Sequence, residues 1–301
     1  MSSSVKFKIG YFADGPWSHL AFEKLISDPT ISIEFIVPRT DSEDQTLLIF
    51  SEKYKIPYIK GYNVNSSAFL DIAIEFKCDL FVSMSFNQIF KKTIISTPKL
   101  GTINCHAGKL PFYRGRNILN WALINDEKEF GITVHYVDEG IDTGDIILQN
   151  SYNITDEDNY ASLLSKAYVG CAETLFLAIK NIQTGNSQKI KQSTIHPVGF
   201  YCGPRSIGDE VINWNNTSRN LFNFIRAICD PGPKAHTTIH GNIIKINRAN
   251  LIENAPSYKN TNGQIVGKIE NRYIVKTLDS TIEIYDIESN VKLKIGDKLG
   301  T

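Results

Sequence analysis

Residues 101–117 read GTINCHAGKLPFYRGRN, an apolar run that ends in an asparagine and a histidine two positions apart and then breaks into a loop of proline, glycine and arginine. In an extended strand, residues i and i+2 face the same side, so Asn104 and His106 present their side chains together at the strand's end. Ligands of open α/β sheets bind outside the carboxyl ends of strands, which makes this pair a candidate site. The fold is read outward from here.

Upstream, VKFKIGYF, ISIEFIV and DLFVSMS read as strands and IPYI as a short one. They alternate with the amphipathic stretches WSHLAFEKLIS, TLLIFSEKY and SSAFLDIAIEF, the pattern of βα units around a parallel sheet. Downstream come a helical RNILNWALIN, the strand FGITVHYV and the run DIILQNSY. A longer helix is expected from Asn159 to Ile182, with Leu163, Leu164, Ala167, Cys171, Leu175 and Ala178 at helical spacing and Gly185 and Asn186 suited to end it. From about Tyr201 the texture changes. A connecting segment and one more helix, TSRNLFNFIRAI, lead into short alternating strands with Gly and Asn turns, the signature of a small β-barrel. The expected fold is therefore α/β: a Rossmann-like, mostly parallel domain over residues 1–203, then a linker helix and an OB-like barrel over 204–301.

Composition limits the function. The 32 basic and 32 acidic residues cancel, which removes the long-range attraction of a dedicated nucleic-acid binder, and 42% apolar residues are enough for a full core. The polar lead MSSS lacks the apolar core of a secretory signal and no segment is read as membrane-spanning, so a cytoplasmic protein is expected. Five scattered cysteines with no CxxC pair indicate reduced thiols rather than disulfides or a zinc site.

A second polar cluster, VDEGIDTGDI at 137–146, holds Asp138, Glu139, Asp142 and Asp145 in a loop sharpened by Gly140 and Gly144. Neighbouring connections in such a sheet let this loop arch over the strand end that carries His106. An amide, an imidazole and a carboxylate together suit acyl transfer to an amine: the imidazole takes the proton, the carboxylate supports its charged form, and the amide donates to the developing oxyanion. Taken alone, an Asn-x-His at a strand end and an Asp/Gly turn are equally compatible with hydrogen-bonded structure.

The two stretches NCHAGKLPFYRG and GITVHYVDEGIDTGDIILQ resemble the folate-dependent formyltransferases, whose strongest motifs are an Asn-x-His followed by Leu-Pro and Arg-Gly, and an Asp-containing loop. The resemblance implies that Asn104, His106 and Asp142 are catalytic and that 10-formyltetrahydrofolate is the formyl donor, with no metal. It implies a folate pocket formed by Ser85, Phe86, Asn87, Gln88, Ile89 and Phe90 after the preceding strand, and by Asp138, Glu139, Gly140 and Ile141 in the Asp loop. Phe86, Ile89 and Phe90 are expected as apolar walls.

The C-terminal barrel resembles that of the methionyl-tRNA and sugar N-formyltransferases and not the glycinamide ribonucleotide enzyme. Between the two acceptors, the short, net acidic IVPRTDSEDQTLLIF replaces the long basic insertion of the tRNA branch. Asn117 and Trp121 also look like the sugar branch. The expectation is a nucleotide-sugar N-formyltransferase for surface-glycan precursors such as lipopolysaccharide, acting on a UDP- or dTDP-linked amino-deoxysugar, with no nucleic-acid or membrane partner and with a homodimer as an option. Lys109, Arg114 and Arg116 are candidate diphosphate contacts, and Asn117, Trp17 and Tyr201 candidate contacts to the rest of the substrate. A methionyl-tRNA formyltransferase, a formyltetrahydrofolate hydrolase and a non-catalytic binding module remain as alternatives.

Overall fold

The computed structural model describes residues 6–42 and 44–300, so the polar lead at residues 1–5 lies outside the described residues. The first stretch of chain runs β1 (Phe7–Ala13), α1 (Pro16–Ile26), β2 (Ile31–Val37), α2 (Gln45–Tyr54), α3 (Ser67–Glu75), β3 (Leu80–Met84), α4 (Lys92–Ile95) and β4 (Thr102–His106). It continues through β5 (Arg114–Gly115), α5 (Ile118–Ile124), β6 (Glu129–Tyr136), β7 (Ile146–Asn153), α6 (Tyr160–Gln183), α7 (Gln192–Ile195) and β8 (Tyr201–Cys202). The last part comprises α8 (Ser218–Ile228), β9 (Ala235–Ile239), β10 (Asn242–Leu251), β11 (Ile265–Ile269), β12 (Arg272–Lys276) and β13 (Thr281–Glu288). The expected strand IPYI is reduced to one bridge, between Ile36 and Tyr58.

Two compact units emerge. The first comprises residues 1–116, 130–152 and 165–202, and the second 117–129, 153–164 and 203–301. In the first, a six-stranded sheet has the order β2-β1-β3-β4-β6-β7. β1, β2, β3 and β4 pair in parallel, while β4 and β6 run antiparallel with Asn104 opposite His135 and His106 opposite Thr133. The mostly parallel, Rossmann-like reading therefore holds, with an antiparallel neighbour at the site. β3 is buried along its whole length, as a strand covered on both faces should be.

An aromatic core anchors the end of the sheet where β1 and β3 lie side by side. Phe12 meets Phe35, Phe69, Phe81 and Phe90 edge-on at centroid separations of 5.6, 5.9, 5.1 and 5.2 Å, in the geometry that the ring quadrupole favours. Full burial of each such ring stabilises the fold by about 2–3 kcal/mol. On α6 all six apolar residues of the expected stripe are buried. Its end is closed by Gly185 N–H on the Ile182 carbonyl and Asn186 N–H on that of Asn181, with Gly185 at φ 74°. At 24 residues α6 is long and apolar enough to cross a membrane by length and composition, which corrects the reading that no segment is; over half of its most apolar window is buried inside the protein.

In the second unit α8 begins at a Thr217 cap, whose hydroxyl accepts from Asn220 N–H at 3.2 Å, and packs against β10. The antiparallel sheet has the order β11-β12-β13-β10-β9, with Ile244, Ile246, Ile282 and Ile284 on its buried face. Residues 297–300 then bind both open edges. Ile265 N–H donates to Asp297 O, Leu299 N–H to Gly263 O and Gly300 N–H to Thr238 O, at 2.8, 2.8 and 2.7 Å. Both edges are thereby covered, as the barrel reading requires.

Candidate active site

β4 delivers the two residues as its alternation dictates: Ile103 and Cys105 are core, while Asn104 is half-buried and His106 buried at the strand's end. The chain then turns back at Gly108, where a Cβ would stand 2.4 Å from His106 Nε2 and 2.5 Å from the Tyr113 carbonyl. Only a residue without a side chain leaves room for the 2.7 Å hydrogen bond between those two groups. The tautomer that satisfies the contact carries a hydrogen on Nε2 and a bare Nδ1.

Nδ1 faces the Asp loop, with Asp142 Oδ2 at 3.7 Å. Asp142 sits in the left-handed conformation, φ 53°, which aspartate takes up more readily than most side chains. Gly115 N–H donates to its Oδ2 at 2.9 Å, and its Oδ1 lies 3.4 Å from His135 Nε2. Gly144, whose Cβ would fall 1.8 Å from the Tyr136 carbonyl, keeps the loop tight against β6. Burial by itself would raise the Asp142 carboxyl, but the charge of His106, the bond to His135 and the Gly115 N–H outweigh it and hold the group well below the usual carboxylate range.

His135, which no sequence motif singles out, is a residue of the site that sequence reasoning missed. It is buried, its Nδ1 lies 2.8 Å from the Tyr136 carbonyl, and its Nε2 stands 3.4 Å from both Asn104 Nδ2 and Asp142 Oδ1. Its Nδ1–H is given to the Tyr136 carbonyl, so Nε2 accepts from the Asn104 amide when bare and donates to the Asp142 carboxylate when protonated. The signal lay in the β4–β6 register, which puts it directly opposite Asn104. His19 is also partnered: Asp44 holds its Nε2 at 2.7 Å.

At the end of β3, Ser85 adopts φ 55° and Phe86 stacks on Phe90 at 5.6 Å. Phe90 is core and Ile89 is 66% exposed, so of the three expected walls Phe86, half-buried, is intermediate. Gln88 spends its amide on the backbone of Val64 and Tyr62. Asn87 Oδ1 is buried with no hydrogen-bond partner among the described residues. In the Asp loop, Asp138 caps its own turn through Gly140 N–H and the Thr143 hydroxyl, and Glu139, Gly140 and Ile141 are exposed.

The remaining candidates divide. Arg114 binds the Gln192 side chain and lies over the ring of Tyr201 at 5.4 Å, Arg116 is exposed, and Lys109 is half-buried beside Gly131. Trp17 packs edge-on against Tyr168. Asn117, in the second unit, opens α5 and accepts from Arg205 N–H. Among the described residues no group of three His, Cys, Asp or Glu is arranged to hold a metal.

Residues 39–173 match a family model described as formyl transferase, and residues 206–297 one described as formyl transferase, C-terminal domain. The chain belongs to the formyl transferase family. This formyltransferase is 32% identical over 233 residues to a methionyl-tRNA formyltransferase of Pelotomaculum thermopropionicum, a match covering 77% of this chain and 73% of the relative. It is 33% identical over 252 residues to one of Fusobacterium nucleatum, covering 79% and 80%, and 29% identical over 303 residues to one of Halothermothrix orenii, covering 92% and 95%. Among solved structures, an N-formyltransferase of Helicobacter canadensis in complex with folinic acid and dTDP-3-aminofucose aligns with a TM-score of 0.70 at 23% identity, covering 94% of this chain and all of that one. WlaRD, a sugar 3N-formyl transferase, aligns at 0.68 with 24% identity over 96% of this chain and all of that one.

These relatives overturn the expected sugar acceptor. Likeness to the sugar enzymes is a likeness of fold, whereas relatives near 30% identity over most of both chains bear the methionyl-tRNA name. The physical reason for the misreading is that net charge sums over the whole formyltransferase and says nothing of local placement. A short loop after β2 removes one basic element, not every means of holding RNA.

Proposed function

We propose that the protein transfers the formyl group of 10-formyltetrahydrofolate to the α-amine of methionyl-tRNA, in the cytoplasm. The observation that carries this reading is kinship at 29 to 33% identity, reaching 92% of the chain, with proteins named methionyl-tRNA formyltransferases. A folate donor is consistent with the end of β3, where Asn87 Oδ1 is buried with no hydrogen-bond partner among the described residues: a buried free acceptor suits a heterocycle with N–H donors. The donor supplies a formyl carbon open to attack by an amine.

The residues of this chain do the rest. His106, with Nε2–H held by the Tyr113 carbonyl, keeps Nδ1 ready to take a proton from the attacking amine. The imidazolium that results is flanked by the Tyr113 carbonyl on one side and Asp142 on the other, and it returns its proton to the donor nitrogen as the bond between that nitrogen and the formyl carbon breaks, releasing tetrahydrofolate. Asn104 donates from its amide to the negative charge that develops on the formyl oxygen, a contribution worth roughly 10²–10³ in rate for a single donor. His135, neutral with its Nδ1–H on the Tyr136 carbonyl, accepts from the Asn104 amide at Nε2 and so orients it. Contacts such as the 3.7 Å His106–Asp142 separation tighten when substrates fill a site.

The test is a single-turnover assay with 10-formyltetrahydrofolate and methionyl-tRNA, scored by mass spectrometry of the amino acid released from the tRNA. Formylmethionine is expected. Donor consumption without formylmethionine, or no reaction at saturating donor, would overturn the acceptor.

A further inference from the structure

Gln192 lies 50 residues beyond Asp142 in the sequence, carries no motif, and is 4% exposed. All of its side-chain capacity on one face of the amide is used on the Asp loop: Nε2 donates to the Asp142 carbonyl at 2.7 Å and to the Gly144 carbonyl at 2.9 Å. The other face receives Arg114, whose Nε and Nη2 donate to Oε1 at 3.1 and 2.6 Å. Arg114 sits between Tyr113, whose carbonyl holds His106 Nε2, and Gly115, whose N–H holds Asp142 Oδ2. One neutral amide thus joins the segment that orients the imidazole to the segment that carries the carboxylate.

We infer that Gln192 is a positioning residue for the His106–Asp142 pair, fixing the left-handed Asp142 backbone against the Arg114 segment. This rests on the reading of His106 and Asp142 as the reacting pair. Two physical features set the role apart from ordinary packing. An amide is the one side-chain group of this length that offers two donors to the paired carbonyls and an acceptor to a guanidinium fork at once. Asp142, at φ 53°, is free to leave that conformation if the carbonyl anchors are removed, and the change moves its carboxylate away from the imidazole. A displacement near 1 Å at reacting groups costs on the order of a hundredfold in rate.

Gln192→Leu removes both faces of the amide. Gln192→Glu keeps the acceptor for Arg114 but turns an oxygen toward the two carbonyls and adds a charge near Asp142, so it serves the kinetic readout, while the Asp142 titration is read on Gln192→Leu. Two readouts are needed. Steady-state formylation is expected to show kcat lowered roughly tenfold to a hundredfold with KM for donor and acceptor within about threefold of wild type. Carboxyl carbon NMR of the Asp142 resonance, assigned through Asp142→Asn, is expected to show its titration moving up toward the ordinary carboxylate range as the carboxylate leaves His106, His135 and the Gly115 N–H. A folded variant with kcat within twofold of wild type would overturn the inference, as would loss of activity with the Asp142 titration unmoved. Should wild type fail to formylate methionyl-tRNA, the acceptor reading falls, while the NMR titration still decides the role of Gln192.

Discussion

Asp142 Oδ2 stands 3.7 Å from His106 Nδ1, while the opposite ring nitrogen of His106 is tied at 2.7 Å to the Tyr113 carbonyl. The imidazole is therefore oriented by a backbone carbonyl on one side and faced by a carboxylate on the other, two features that separate substitutions can tell apart. His106→Asn removes the proton acceptor and is expected to lower kcat by roughly 10²–10⁴. Asp142→Asn retains the Oδ acceptor for Gly115 N–H but not the charge, and the same range applies. Steady-state kinetics beside circular dichroism check both, and near-normal turnover in either folded variant removes the residue from the mechanism.

Acid should act on stability through Asp142. Its carboxyl titrates well below the usual range in the folded protein, because the charge of His106, the His135 contact and the Gly115 N–H outweigh burial. In the unfolded chain an aspartate titrates near 3.9. The stabilisation is thus fully present above about pH 4 and is lost as the pH falls toward the folded value. Urea unfolding of wild type and Asp142→Asn should give a stability difference that shrinks as the pH falls below about pH 4. A difference that grows on acidification contradicts the assignment.

Gly108→Ala places a methyl group 2.4 Å from His106 Nε2 and 2.5 Å from the Tyr113 carbonyl. Neither the ring nor the backbone can yield without breaking their hydrogen bond. The expected outcome is a loss of roughly 1–3 kcal/mol of stability from overpacking, together with at least a tenfold fall in kcat. Chemical denaturation and kinetics on the same preparation measure the two effects.

Asp44 is buried and caps α2, accepting from Thr46 N–H and Leu47 N–H at 3.0 Å each, and it also takes Gly15 N–H at 2.6 Å and the ring of His19. Burial alone would raise its carboxyl, yet these donors hold it below the ordinary value. Asp44→Ala loses the cap and leaves the Gly15 and His19 donors unmatched, for a cost of roughly 1–3 kcal/mol. Asp44→Asn, which keeps the acceptor oxygen, should recover part of that loss in thermal denaturation.

The residues written in a local pattern were legible. Period-two alternation put Asn104 and His106 on one face of β4, and the helical stripe from Leu163 to Ala178 is buried on α6. His135 was not legible, because its place in the site depends on β6 running antiparallel to β4 with one specific register, and FGITVHYV reads the same in either direction. Gln192 was further out of reach, since its partners come from segments 48 to 78 residues away. The acceptor was misread for a different reason: a loop length and a summed charge stood in for a binding surface. Asn104, His106, His135 and Asp142 all lie in unit one.

The short segment from Asp297 to Gly300, which joins the Thr238 and Gly263 edges, also sets an order of events during synthesis. Until those residues leave the ribosome, β9 and β11 present unpaired strand edges of the kind that recruit other chains. The second sheet can be built early but not sealed early, because its closing contacts join positions well separated in sequence, Ile265 with Asp297, Gly263 with Leu299 and, furthest apart, Thr238 with Gly300. Such distant closure slows folding and lengthens the interval in which a nascent chain depends on chaperones.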